Sequence, residues 1–361
     1  MAAAVAVAAV IDMICQNQNR LLLQFHITGR CNLRCRHCYR QEGDVERLSL
    51  ADIDRVIGQY LQLRRTYNAR HGIRRRGHIN ITGGEPFIRK DIDDVLKLLG
   101  NHRDEFSYGI LSNGSFIDEE RIRLLKQTNV SFVQLSIDGT RQTHDALRAP
   151  GDYDRVLQTA QRLEKAGIRT YISFTANRLN YRQIPQVASQ CRKRGITKLW
   201  SDRLVPIGNG KEISQMAIGP DILEDYVRTM KKAQGNRLQR LLHPKTQVTM
   251  NRALQFLHSD GAIYSCSAGD SLITVDEFGN IMPCRRMPIL CGTVFESTLE
   301  RVYFENEVFQ KLRGREIPKA CAACKYANLC RGGARCQSYA VHNSFFRADP
   351  ACPLQVFAKQ P

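Results

Sequence analysis

The sequence contains no run approaching the ~18 apolar residues that a membrane-spanning helix requires. It also lacks an ordinary export signal: the apolar start, Met1 to Ile14, has no basic stretch before it, and Asp12 interrupts it early. Internal repeats are missing, and so is low-complexity sequence beyond the first ten residues. The densest basic patches, Arg74 to Arg76 and Arg228 to Lys245, are not interleaved with the aromatics on which single-stranded nucleic acid stacks. Acidic residues are outnumbered, 35 against 53 Lys and Arg, for a formal charge of +18. That charge fits a solvated basic surface or an acidic protein or peptide partner, and nucleic acid is the less expected partner. The expectation is a cytoplasmic protein with a packed N-terminal extension over residues 1–20.

The chain has 361 residues, 43% of them hydrophobic, enough for one large domain or two moderate ones. From Leu21 to Leu204 strand-like and helix-like segments alternate, giving six β/α units with strands of parallel-sheet character. Ser49-x-x-Asp52 reads as a capping box before the apolar positions Ile53, Val56, Ile57, Tyr60 and Leu61. Six such units suggest an incomplete barrel or an open doubly wound sheet, and either places its chemistry at the C-terminal ends of the strands. Residues 21–205 are therefore expected to form the core and 206–261 a helical, basic linker. Residues 262–361 read as a Cys-rich region with short strands at Leu272–Val275 and Asn280–Met282 and a helix near Leu299 to Leu312.

Thirteen cysteines stand in this chain. In a reducing compartment clustered thiols hold metal or do redox chemistry more often than they pair as disulfides. Directly after the first strand comes Cys31-Asn-Leu-Arg-Cys35-Arg-His-Cys38-Tyr39. Three thiolates at this spacing can hold three irons of a 4Fe-4S cluster and leave the fourth iron open. Zinc is the alternative, with His37 as the fourth ligand.

Here the sequence resembles the radical S-adenosylmethionine (radical SAM) enzymes. The C-x3-C-x2-C spacing with the following Tyr39 matches their signature, and Thr82-Gly83-Gly84-Glu85-Pro86 resembles the motif that holds the methionine amino group. The resemblance implies a partial (β/α)6 barrel and contacts to S-adenosylmethionine from Tyr39, Gly83, Gly84, Glu85, Ser112, Asn113, Ser136 and Arg148. Ser112-Asn113-Gly114 stands where the family has a ribose contact. His144-Asp145-Ala146-Leu147-Arg148 matches H-D-x-x-R, and it implies that Arg148 lies near the methionine carboxylate.

The later cysteines resemble a SPASM domain, an extension that carries auxiliary 4Fe-4S clusters. By that resemblance Cys321, Cys324, Cys330 and Cys352 hold one auxiliary cluster, while Cys266, Cys284 and Cys336 contribute to another. The family pattern has a cysteine where this chain has Ala334 and offers Cys336 instead. Cys291 is a ligand, a hydrogen donor or a buried thiol, and Cys15 and Cys191 read as structural.

The resemblance implies that S-adenosylmethionine is cleaved to a 5′-deoxyadenosyl radical that takes a hydrogen atom from substrate. It also implies an electron donor of the flavodoxin or ferredoxin type. Oxidation or crosslinking of a ribosomally made peptide is the main expectation, with an acidic leader docking on the basic surface. The alternative is the same chemistry on a small molecule: a sugar, an aminoglycoside or a cofactor precursor. A zinc-stabilised nucleic-acid-binding protein is a third reading. Arg285 occupies the place where the family's sulfatase-activating members carry Asp, which argues against that activity. About 20 residues precede the first strand, so an N-terminal leader-binding domain is not expected here.

Overall fold

The computed structural model describes residues 20–40, 43, 46–259, 263–314 and 316–355. The expected N-terminal extension and Cys15 lie outside them, apart from Arg20.

The strands β1 (Arg20–His26), β2 (Arg76–Thr82), β3 (Phe106–Leu111), β4 (Phe132–Ser136), β5 (Thr170–Ala176) and β6 (Lys198–Arg203) pair side by side in numerical order, all parallel. Between them run α1 (Leu50–His71), α2 (Ile92–Asn101), α3 (Glu119–Gln127), α4 (Arg141–Leu147), α5 (Asp152–Lys165) and α6 (Ile184–Lys193). In β1, Leu21, Leu23 and Phe25 are buried, and so are Gln24 and His26 on the opposite face. Burial of both faces is the usual state of a parallel strand covered by helices. Helix α1 begins at the capping box read from the sequence, with Ser49 and Asp52 each bonded to the other's backbone N–H. Its buried Tyr60 donates to Leu21 O at 2.6 Å and accepts from His78 N at 2.7 Å, fastening the helix to β1 and β2.

Of the segment 206–261 expected as a linker, residues 206–259 do more than link. Helix α7 (Leu223–Gln234) buries Leu223, Tyr226, Val227 and Met230 and packs on α6, and α8 (Arg237–Leu242) follows. Strand β7 (Gln247–Thr249) then adds to the free edge of β6 in parallel. Three residues are too few for alternation to announce a strand.

The C-terminal region joins the other edge of the same sheet. Strand β8 (Leu272–Val275) pairs in parallel with β1, and β9 (Asn280–Met282) and β10 (Gly292–Thr293) continue antiparallel. The helix expected over Leu299–Leu312 is two helices, α9 (Leu299–Glu305) and α10 (Glu307–Arg313). Asn306 separates them: its backbone is extended and its side chain caps the second helix by accepting from Val308 N. Short helices α11 (Ala327–Cys330) and α12 (Arg335–His342) follow. The chain is thus an alternating β/α core with a small α+β region built onto one sheet edge.

Candidate functional site

The C-terminal ends of the core strands surround a cavity of about 220 Å³. Cys31, Cys35 and Cys38, from the loop after β1, all line it. The loop after β6 straps this segment: Gly210 N donates to Cys38 O at 3.1 Å, and Asn209 N donates to Arg40 O. Gly208 has φ +56°, and a Cβ there would stand 2.5 Å from Tyr39 O, so only glycine lets the strap lie so close. The phenol of Tyr39 is bonded to Thr82, and burial raises its pKa.

Gly83 and Gly84 line the cavity, but their small size answers first to the protein itself. A Cβ on Gly83 would meet Thr28 O at 2.2 Å, and one on Gly84 would meet Arg30 O at 2.0 Å. That contact lets Gly84 N and Glu85 N each donate at 2.8 Å to the Cys-bearing loop, at Thr28 O and Arg30 O. The motif after β2 therefore sets the position of the thiols.

Glu85 is fully buried and is not among the cavity-lining residues. It accepts from Ser112 Oγ (2.8 Å), Asn113 N (2.7 Å) and Phe87 N (3.2 Å). Burial pushes its carboxyl up to about 7, against the lowering by those donors. Its structural part is to fix the turn after β3, whose Ser112 and Asn113 do line the cavity. Asn113 Nδ2 in turn donates to Asn32 Oδ1 at 2.8 Å and stands 4.0 Å from Cys31 Sγ. Ser136, at the end of β4, lies 3.1 Å from Ser173 Oγ on the same cavity wall.

Arg148 reaches the cavity from the end of α4 and is already partnered. Its Nε donates to Asp138 Oδ2 at 2.5 Å, its Nη1 stands 3.7 Å from Cys35 Sγ, and its Nη2 stands 3.4 Å from His37 Nε2. Burial alone would raise the Asp138 carboxyl, but Arg148 and His37 outweigh it and hold that group well below the usual carboxylate range. Asp138 N donates to His144 Nδ1, so the other ring nitrogen of the neutral histidine carries the hydrogen that bonds Asp152 Oδ2 at 3.0 Å. No local pattern signals the Arg148–Asp138–His37 cluster, because no period joins residues on either side of a turn.

The later thiols form two groups. Cys266, Cys284 and Cys336 line one cavity of about 160 Å³, beside Arg286. Cys321, Cys324, Cys330 and Cys352 line another, under Leu254 and Phe256. Cys291 joins neither: its thiol donates to Ile289 O at 3.4 Å, and burial is what raises it to about 11. Cys191 is wholly buried in the main core.

The donor sets suit iron–sulfur clusters. Among the described residues no three His, Cys, Asp or Glu side chains converge closely enough to share a single metal ion. In a cluster, by contrast, each thiolate holds a different iron, so its ligands stand further apart. Burial pushes Cys35 and Cys330 up to about 12 and Cys321 to about 11. Thiols so reluctant to ionise alone become thiolates when cations bind them.

Comparison with known proteins agrees with this arrangement. The model of the radical SAM superfamily matches residues 25–191, and that of an iron–sulfur cluster-binding domain, SPASM, matches 266–325. The Fe-coproporphyrin III synthase of Methanosarcina barkeri is 26% identical, over 91% of this chain and 87% of its own. The AdoMet-dependent heme synthase of the same organism is 24% identical over 94% and 98%. The mycofactocin maturase MftC of Mycolicibacterium smegmatis is 26% identical over 92% and 82%. Among solved structures, Streptococcus suis SuiB bound to S-adenosylmethionine shares the fold. Its TM-score is 0.72 at 18% identity, covering 94% of this chain and 79% of SuiB. With thiols, strand-end loops and matched families in agreement, the chain belongs to the radical SAM superfamily: it is an enzyme with a C-terminal SPASM domain, and its cofactors are S-adenosylmethionine and iron–sulfur clusters.

Proposed function

We propose that this enzyme oxidises a small-molecule cofactor precursor by removing a hydrogen atom from an unactivated carbon. S-adenosylmethionine and the clusters would supply the one-electron chemistry, a 5′-deoxyadenosyl radical and a route for the substrate's electron. Cys31, Cys35 and Cys38 hold the cluster of the first cavity. Tyr39, Gly83, Gly84, Ser112, Asn113, Ser136 and Arg148 shape the nucleotide site around it, and Glu85 orients Ser112 and Asn113. Arg148, fixed by Asp138, keeps positive charge beside Cys35. Cys266, Cys284 and Cys336 hold one auxiliary cluster; Cys321, Cys324, Cys330 and Cys352 hold the other. The core spans 21–205 as a partial (β/α)6 barrel, the linking segment 206–261 and the auxiliary region 262–361, with a flavodoxin- or ferredoxin-type donor supplying electrons.

The supporting observation is that the first cavity and the Cys266–Cys284–Cys336 cavity share walls, Trp200 and Asp202 among them. A substrate at that shared wall would face both thiol groups. The synthases of Methanosarcina barkeri, similar over nearly their whole length, favour a cofactor precursor. The mycofactocin maturase favours a second reading, modification of a ribosomal peptide. Anaerobic assay of 5′-deoxyadenosine with dithionite decides between them. The first reading expects a porphyrin precursor of heme to stimulate its formation and to be consumed. Stimulation by a precursor peptide alone would install the second reading.

A further inference from the structure

The cavity at the C-terminal strand ends and the one beside Cys266, Cys284 and Cys336 have Leu111, Gln134, Trp200, Asp202, Arg285 and Arg286 in common, so they adjoin across a shared wall. Their charge is unbalanced. Asp202 is the one carboxylate lining either cavity among the described residues, and Arg286 Nη1 already bonds it at 2.8 Å. The other cavity arginines with acidic partners are engaged elsewhere: Arg148 with Asp138, Arg203 with Asp349 and Arg40 with Glu277.

Arg285 and Arg252 differ. Neither makes a direct ion pair with a carboxylate among the described residues, although the charge of Arg252 helps hold the Asp202 carboxyl low, and each lies over an aromatic ring. The Arg285 guanidinium is 5.0 Å from the centre of Tyr39, and that of Arg252 is 4.2 Å from the centre of Trp200. A ring beneath a planar guanidinium fixes its orientation and leaves the N–H edges available. Both arginines are half-buried. Their charge is therefore less hydrated than on an open surface, and a carboxylate meeting their edges can be held by two parallel bonds.

We propose that Arg285 and Arg252 bind a carboxylate of the substrate, holding it between the Cys31–Cys38 loop and the Cys266–Cys284–Cys336 group. The assignment rests on the cofactor-precursor reading above and narrows it to an acidic small molecule. Arg285 lines both cavities, and Arg252 lines the one beside the auxiliary thiols.

Binding to the anaerobically reconstituted full-length enzyme tests this without turnover. Fe-coproporphyrin III, whose propionates are charged at neutral pH, is titrated by its visible absorption beside its uncharged tetra-amide, which keeps the same ring and iron. The parent enzyme is expected to prefer the acid, more strongly at low salt. Arg285→Gln and Arg252→Gln should each weaken acid binding by about tenfold or more, the scale of a lost charge-assisted bond, and leave the amide unaffected. Arg285→Lys should fall between, keeping charge but losing the planar fork. Two separate variants keep the test open should one fail to assemble its clusters. Equal affinity of the parent for acid and amide, or acid binding in both Gln variants as in the parent, overturns the assignment and leaves the cofactor-precursor reading standing. Binding of neither probe by the parent overturns both.

Discussion

The Arg203–Asp349 pair is the severest test of how the two regions are joined. Arg203 ends β6, and Asp349 lies three residues before Cys352. The two side chains are 3% and 0% exposed and meet in two bonds, Nη1–Oδ1 at 2.9 Å and Nη2–Oδ2 at 2.5 Å. Asp349 also accepts from Ala334 N and Ala351 N, at 3.1 and 3.0 Å, so one carboxylate holds the strand end, the start of α12 and the final turn. Asp349→Asn keeps the shape and removes the charge, leaving a buried guanidinium without its counter-ion. Breaking a buried pair from one side costs about 3–5 kcal/mol, a shift in the folding equilibrium of about a hundredfold to several thousandfold. Urea unfolding under anaerobic conditions, followed by circular dichroism, should show the midpoint falling by on the order of 1 M. The iron assigned to Cys330 and Cys352 should be lost early in the transition. Adding Arg203→Met should recover part of the midpoint, because the stranded charge is then gone. A single variant that unfolds with the parent, or a double variant no better than the single, would refute this account of the joint.

Replacing Cys31, Cys35 and Cys38 together with Ala should abolish 5′-deoxyadenosine formation and lower bound iron from about twelve to about eight atoms per chain; undiminished nucleoside would end the cluster assignment. Cys336→Ala should reduce iron while Cys291→Ala does not, and iron analysis of the pair separates a ligand from a packed thiol. Glu85 is raised in the fold from its ordinary 4.5 to about 7, so its contribution to stability is complete below 4.5 and is lost as pH rises to about 7, some 3 kcal/mol in all. In Glu85→Gln that slope should flatten, and a stability–pH curve parallel to the parent's would disprove the shift. Gly84→Ala, with its Cβ 2.0 Å from Arg30 O, should displace the Cys-bearing loop and yield protein short of iron at the first site.

The periodic signals were the readable ones. Six β/α units and the Ser49–Asp52 box rest on local spacing, and the structure follows them. Cys31, Cys35 and Cys38 were legible because their ligand spacing lies within one loop. Glu85 was legible as a motif but not in its contacts: its bonds reach Ser112 and Asn113, on another strand's loop. The same limit hid Asp138 beneath Arg148 and Asp349 beneath Arg203, since a buried ion pair leaves no trace in either residue's local sequence. Strand β7 was too short to carry a period, and Asn306 broke a helix whose apolar positions run on unbroken. For Cys336 and Cys291 the count of cysteines was plain and the partition was not, because only the path of the chain after β9 separates them.

The pairing of β8 with β1 has a consequence for synthesis. Leu22 meets Leu272 in register, so the strand that leads into the thiol loop waits some 250 residues for its second neighbour. Until that segment leaves the ribosome, β1 presents a bare row of amides and carbonyls on a buried-type strand, an invitation to pair with another nascent chain. A protein truncated before Leu272 would keep that edge permanently, and self-association is the fate expected of it.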